Sequence, residues 1–301
     1  MSVTTPSRPP APAPTAPPSG EAQRARSSRG ILAGRAATSV LLWTYAAVAV
    51  GPLLLMVVNS LRPSRDVLAR PVALPLPPSA AGYTEVFTDG GFLLDLRNSL
   101  VVVIAAVVLG TVVSVLAAYP LGRYAFRGSR FLALYFLSGL MLPIRLAVLP
   151  LFYLLASLSL VDSHLGIVLV YGASGVPFSV FVLTAFFRGL PRELEEAARI
   201  DGAGEWQIFA RVMLPLVRPA LATVVVFQFV PLWNDFFYQL VLLRSPERAT
   251  IQVALTEFFG QYQTDWAALF AVLVLATLPL VLLFVAATRQ IVAGLTAGIG
   301  K

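Results

Sequence analysis

The chain has no cysteine, a single histidine, His164, and a single lysine, Lys301, as its final residue. Disulfide frameworks and Cys/His metal clusters are excluded by count alone. A P-loop needs a Gly-Lys-Ser/Thr step inside the chain, so nucleotide hydrolysis by this polypeptide is excluded as well. No catalytic residue and no metal site are assigned. Charge is also scarce: Asp, Glu, Lys and Arg make up 12% of 301 residues, against 57% hydrophobic ones. A mean hydropathy of +0.80 is more apolar than a soluble domain can hide, so lipid is part of the solvent. The net charge of +7 would suit a nucleic-acid binder if it formed one face. The arginines instead fall in short clusters between apolar stretches, which membrane topology explains and which leaves no nucleic-acid partner.

A helix needs about 20 apolar residues to cross a bilayer, and six stretches qualify. They are 36–61, 98–122, 131–157, 165–187, 219–242 and 266–288, the third interrupted by Arg145 and breakable near Pro143 and Pro150. Residues 1–35, rich in Pro, Ala and Arg and lacking the apolar core of a secretory signal, read as a disordered tail. Basic residues favour cytoplasmic loops. Fifteen of them fall on the side of both termini, including Arg123, Arg127 and Arg130, and six on the other, among them Arg62, Arg97 and Arg248. An all-α membrane protein with six transmembrane helices and cytoplasmic N- and C-termini is expected. Its parts are a 62–93 external loop, a 94–289 membrane domain and a 290–301 cytoplasmic tail.

The cytoplasmic segment Pro191 to Pro215 reads as two short helices. Pro191 suits a first helical position, and Glu193, Glu195 and Glu196 favour the positive end of the dipole. Glu195 and Arg199 are spaced as an i,i+4 ion pair. Gly202 and Gly204 permit a turn, after which Trp206, Phe209, Ala210 and Met213 mark one face of an amphipathic helix. Periodicity alone leaves open whether this hairpin lies on the membrane surface or docks on a partner.

The residues themselves narrow the choice. Glu196-Ala197-Ala198, three residues, Gly202, nine residues and Val212-x-Leu214-Pro215 resemble the E-A-A loop of binding-protein-dependent ABC importer permeases, with Val212 where that family usually has Ile. Ala73 to Phe87 is similar to the family's first outer loop, and Trp233-Asn234-Asp235-Phe236 to its fifth-span signature. The ending Val292 to Lys301 resembles the Gly-Leu-Thr-Ala-Gly tail of the carbohydrate-uptake branch, the maltose-permease MalG-like subunits, departing from its commonest form at Ile299 and Gly300.

That resemblance implies the type I ABC importer permease fold in a multi-pass bacterial-type cell membrane protein. It implies half of a pathway taking up a sugar or related polyhydroxyl solute. Glu195, Glu196, Ala197, Ala198, Asp201, Gly202, Leu214 and Pro215 would form the joint to an ATPase subunit. Gly294, Leu295, Thr296, Ala297 and Gly298 would make a tail contact to it. Implied partners are a second homologous permease, two ATP-binding-cassette ATPases, an extracytoplasmic solute-binding protein and membrane lipid. This chain binds no cofactor, since ATP and Mg belong to the ATPase. Alternatives are a permease of a non-sugar ABC importer and a channel or secondary transporter, although a secondary transporter would show related halves.

Polar residues at membrane depth demand partners or a water-filled cavity. Gln228, Asn234, Asp235, Tyr238, Gln239 and Arg145 are candidate pathway residues, or interhelical glue, and Arg145 could pair with Asp235. Gly172-Ala173-Ser174-Gly175 resembles an intramembrane serine protease motif, but His164 lies ten residues away, roughly 15 Å along a helix and beyond hydrogen-bond reach.

Overall fold

The computed structural model describes the backbone of residues 20–88, 91–142, 144–258 and 265–299, and the side chains of these except 20–34, 36, 37, 257, 258 and 289–299. Among the described residues there is no strand. Within those residues, four helices are long and apolar enough to cross a membrane, and up to six spans result if each of two bent pairs counts as one. The chain divides into two units, one ending at Leu55 and the other beginning at Met56.

The first unit is the body of α1 (Gly20–Ser60), whose helical backbone begins inside the stretch expected to be a disordered tail. From Thr38 onward its hydropathy is 2.1, and Leu41, Trp43 and Leu54 are exposed, as lipid-facing side chains are.

In the second unit, the short helices α2 (Ser64–Ala69) and α3 (Ala81–Thr88) fold the loop that follows α1. Arg62 organises this loop. Only 5% exposed, it donates to Asn59 Oδ1 at 3.0 Å, to Arg70 O at 2.6 Å and to Asp66 O at 2.9 Å. A buried charge with that many acceptors is affordable where an unsolvated one would not be.

The centre of the unit is α4 (Phe92–Arg123) packed along α7 (His164–Gly189). Their close approach depends on glycine: a Cβ on Gly110 would lie 2.8 Å from Gly172 O and 2.6 Å from Gln228 Oε1, and one on Gly175 2.4 Å from the same oxygen. Between them in sequence, α5 (Ser129–Gly139) and α6 (Val148–Ser157), joined by a 3-10 turn at Ile144–Ala147, form a span bent by 85°. α5 ends at Gly139, while Pro150 sits within α6; Pro143 itself lies outside the described residues.

After α7 come α8 (Glu193–Ile200), α9 (Glu205–Gln207), a π-helical turn at Ile208–Met213 and α10 (Leu214–Leu216). A 72° bend at Val217 leads into α11 (Arg218–Trp233). The expected single span 219–242 is thus interrupted: α11 stops at Trp233 and α12 (Phe237–Leu242) starts after a break. Side chains cause it. Asn234 Nδ2 donates to Val230 O at 2.9 Å, and Asp235 Oδ2 accepts from the Tyr238 N–H at 3.1 Å, so both compete with the helix ladder. Then α13 (Ile251–Ala254) precedes α14 (Trp266–Ile299), whose helix runs past the expected 288 boundary.

Two cores follow. One gathers Val102, Ile167, Tyr171, Trp233, Tyr238 and Ile251. The other gathers Tyr119, Leu183, Phe187, Ile208, Phe209 and Met213 at the α8 end.

Candidate functional site

The α8 loop is built into the bundle by one buried carboxylate. Glu195 projects inward, with its side chain 7% exposed against 3% for Arg123. Arg123 Nε donates to Glu195 Oε1 at 3.0 Å and Nη2 to Oε2 at 3.0 Å, a bidentate pair, and the Tyr119 hydroxyl adds a 3.3 Å bond. The same guanidinium reaches Phe187 O at 3.0 Å and Leu190 O at 2.7 Å. One arginine at the end of α4 therefore fixes both the end of α7 and the start of α8.

This corrects the expected Glu195–Arg199 pair. Glu195 faces the core, where Arg123 offers two donors in one plane, and Arg199 turns instead to Glu205, at 2.8 Å.

The end of α8 shows why Gly202 stands where it does. Ala203 N donates to Ala198 O at 3.0 Å and Gly202 N to Arg199 O at 3.0 Å, with Gly202 at φ 81°. This is the paired bonding of a Schellman stop, which places its C′ residue in the left-handed region that favours glycine. Gln207 Oε1 accepts from Gly204 N at 3.1 Å and starts the second helix.

The second helix does not keep the expected face. Phe209 and Met213 are buried and Ala210 is packed beside them, but Trp206 is 68% exposed and Ile208 is fully buried. The cause is the π-helical turn over Ile208–Met213, whose wider spacing rotates the phase of the buried stripe relative to a 3.6-residue helix.

Outward from this scaffold, Glu196, Ala197, Asp201 and Gly202 are exposed, and Ala198, Leu214 and Pro215 are half-buried. Ile200, 86% exposed, stands beside them with exposed Trp206. Large apolar side chains displayed next to small and acidic ones form a surface with little reason to face water.

The six polar residues at membrane depth separate into two groups. Gln228, Asp235, Tyr238 and Gln239 are all buried and act between helices. Gln228 Nε2 donates to Ser179 Oγ at 2.9 Å and Thr111 Oγ1 at 3.3 Å, while its Oε1 has no hydrogen-bond partner among the described residues and lies against Gly110 and Gly175. Asp235 Oδ2 accepts from Tyr171 Oη at 2.6 Å, Tyr238 Oη donates to Ile144 O at 2.5 Å, and Gln239 Oε1 accepts from Thr250. Asn234 and Arg145 are exposed. Arg145 has no ion pair with Asp235, whose carboxylate turns into the helix break and is satisfied by Tyr171 and the Tyr238 N–H. Ser174 Oγ donates to Tyr171 O at 2.7 Å and His164 Nε2 contacts Arg248 O at 3.2 Å, so the two are engaged separately.

At the opposite end of α4 another clamp holds the segment after α12. Asn98 Nδ2 donates to Glu247 O at 3.0 Å and Ala249 O at 2.9 Å. Asp162, at φ 55°, accepts from the Ser245 hydroxyl and from the N–H groups of Arg244 at 2.9 Å and Ser245 at 3.1 Å. The hydroxyl first, then those N–H groups, hold its carboxyl down from 3.8 to about 2. Side chains of Gly294 to Gly298 lie outside the described residues.

Residues 110–296 match the family model described as "Binding-protein-dependent transport system inner membrane component". The chain belongs to that family. It is 33% identical over 265 residues to the diacetylchitobiose uptake system permease protein NgcG of Streptomyces coelicolor, covering 87% of this chain and 88% of that one. It is 36% identical over 255 residues to the arabinooligosaccharides transport system permease protein AraQ of Halalkalibacterium halodurans, covering 83% and 91%. To the maltodextrin transport system permease protein MdxG of Bacillus subtilis it is 38% identical over 218 residues, covering 72% and 78%. The fold is that of a chain in the crystal structure of a bacterial ABC transporter involved in import of the acidic polysaccharide alginate, with a TM-score of 0.76, 24% identity and coverage of 89% and 98%. This binding-protein-dependent permease is thus a multi-pass transport subunit of the cell membrane, in whose systems ATP hydrolysis belongs to separate subunits.

The sequence did not reveal Arg123 as the partner of Glu195 or Tyr171 as that of Asp235. Arg123 was visible only as a topological marker ending an apolar run, and nothing in the spacing of Tyr171 announced a carboxylate from a distant helix.

Proposed function

We propose that this permease forms half of the pathway of an importer for a sugar or related polyhydroxyl solute and is driven through its α8 loop by a separate ATPase. The observation that carries the reading is the buried Arg123–Glu195 pair, which makes α8 one rigid piece with the ends of α4 and α7. A force on α8 is then delivered to both helices together, as rigid-body transmission requires. Exposed Glu196, Ala197, Ile200 and Trp206 form the face offered to the ATPase, where small residues allow close approach and the acid offers charge-assisted contacts.

Both termini and this loop lie in the cytoplasm on this reading, supported by the arginine bias. The complex holds a second homologous permease, two ATP-binding-cassette subunits that use ATP and Mg, and an external solute-binding protein; Gly294 to Gly298 add a tail contact to the ATPase. A bacterial alginate ABC transporter of the same fold, at a TM-score of 0.61, was solved with a periplasmic protein carrying an alginate pentasaccharide. Relatives named for diacetylchitobiose, arabinooligosaccharide and maltodextrin uptake favour a saccharide as solute. Exposed Asn234 and Arg145 are the pathway-facing polar groups, while Gln228, Asp235, Tyr238 and Gln239 hold the helices that move.

The test is purification of the tagged chain from mildly solubilised native membranes with identification of every stoichiometric companion. A P-loop ATPase and a second six-span permease are expected. A chain that purifies alone, where known importers stay whole, would overturn the reading.

A further inference from the structure

Between α5 and the last turns of α7, at the α8 end of the bundle, lies a cleft of about 420 Å³. Its walls are largely apolar, with Leu134 and Phe181 among them, but its charged groups are all of one sign. Arg130 and Arg188 line it and no acid does. Arg188 spends one Nη2 bond on Leu121 O at 3.2 Å. Ser129 lines it too, as the first residue of α5, which follows Gly128 and has no side-chain cap. The Ser129 N–H is bonded to Phe126 O at 3.1 Å, but the positive end of the helix dipole sits at this cleft.

A second, independent observation points to a ligand. Thr184, 8% exposed, also lines the cleft, and its buried hydroxyl has no hydrogen-bond partner among the described residues. A buried hydroxyl without a partner normally finds one. The neighbouring cleft between the same helices, lined by Gly139, Leu142 and Pro177, carries no charged residue, so the arginines are not a general feature of this groove.

We propose that this cleft binds one anionic phospholipid from the leaflet on the α8 side. Its phosphodiester sits between Arg130 and Arg188 at the start of α5, and its acyl chains run along Leu134 and Phe181. A monoanion carrying apolar chains matches both halves of the lining, as basic pockets between transmembrane helices do. A free phosphate would leave the apolar walls unfilled, and a zwitterionic lipid would bring a cation up to two guanidinium groups. The inference stands on the cleft itself and does not depend on the solute or on ATPase coupling.

The test is native mass spectrometry of the full chain in the assembly it forms, titrated separately with phosphatidylglycerol and phosphatidylcholine, with inorganic phosphate as competitor. One phosphatidylglycerol is expected to be retained about tenfold more tightly than phosphatidylcholine, and phosphate should not displace it. The pair Arg130→Gln and Arg188→Gln should erase that preference, while Arg127→Gln with Arg192→Gln, which do not line the cleft, should keep it. Leu134→Trp should also erase it by filling the cleft with both arginines intact, which decides the matter if the glutamine pair fails to insert. Equal retention of the two lipids, displacement by phosphate, or indifference to Leu134→Trp would overturn the proposal. So would binding to the lone chain that vanishes in the assembly, since a protein partner would then cover the cleft.

Discussion

The two ends of α4 hold loops by different means. At its end, Arg123 and Glu195 form a buried ion pair that welds α8 to α4 and α7. At its start, Asn98 and the facing Asp162 hold the 243–250 segment through backbone groups and the Ser245 hydroxyl, with Arg248 as an outlying partner at 3.4 Å. The first clamp joins side chain to side chain across three elements and leaves an apolar knob, Ile200, outside. The second closes a loop onto its own bundle. Transmission of force needs the first arrangement, and keeping a loop in shape needs only the second.

The largest effect should come from breaking the welded end. Arg123→Ala strands Glu195 in a buried site, at a cost of about 3–5 kcal/mol; thermal unfolding in detergent should show a large loss that high salt does not reproduce. Next is Gly202→Val. A β-branched residue at φ 81° costs roughly 1–2 kcal/mol and distorts the end of α8, so the assembled complex should hydrolyse ATP without accumulating solute, while membrane insertion is unchanged.

At the other end, Asp162→Asn should matter less and should show in pH dependence. The folded carboxyl sits at about 2 against 3.8 unperturbed. A depressed folded value stabilises above the unfolded one, and that stability is lost as pH falls from about 4 to about 2. The substitution should flatten the slope of unfolding temperature against pH in that window. Smallest of all is Arg199→Ala. Its pair with Glu205 is 41% and 59% exposed, so solvent screening should leave the loss barely measurable, and it should shrink further in salt.

The same contrast explains what the sequence could tell. Apolar runs bounded by arginines announce spans because the bilayer imposes length on them, and the turn after α8 is legible because its left-handed position needs Gly202. What was not legible depended on partners far along the chain. Local spacing assigned Glu195 to Arg199, four residues away, whereas Arg123 wins by a bidentate fit in a dry site. Hydropathy alone favours an intact 219–242 helix, because it is blind to Asn234 and Asp235 competing for backbone bonds. A 3.6-residue period places Trp206 on the buried face, but the π-helical turn at Ile208–Met213 does not keep that period.

The central claim, that the α8 face meets the ATPase, has a direct test because the chain contains no cysteine. Ile200→Cys introduces a unique thiol at a site 86% exposed, and Leu165→Cys, 56% exposed at the start of α7, serves as the control at the opposite end. Short bifunctional cross-linking of the intact complex should join position 200 to an ATP-binding-cassette subunit in high yield and position 165 to none. An ATPase that cross-links at 165, or never at 200 in a complex that hydrolyses ATP, would contradict the account.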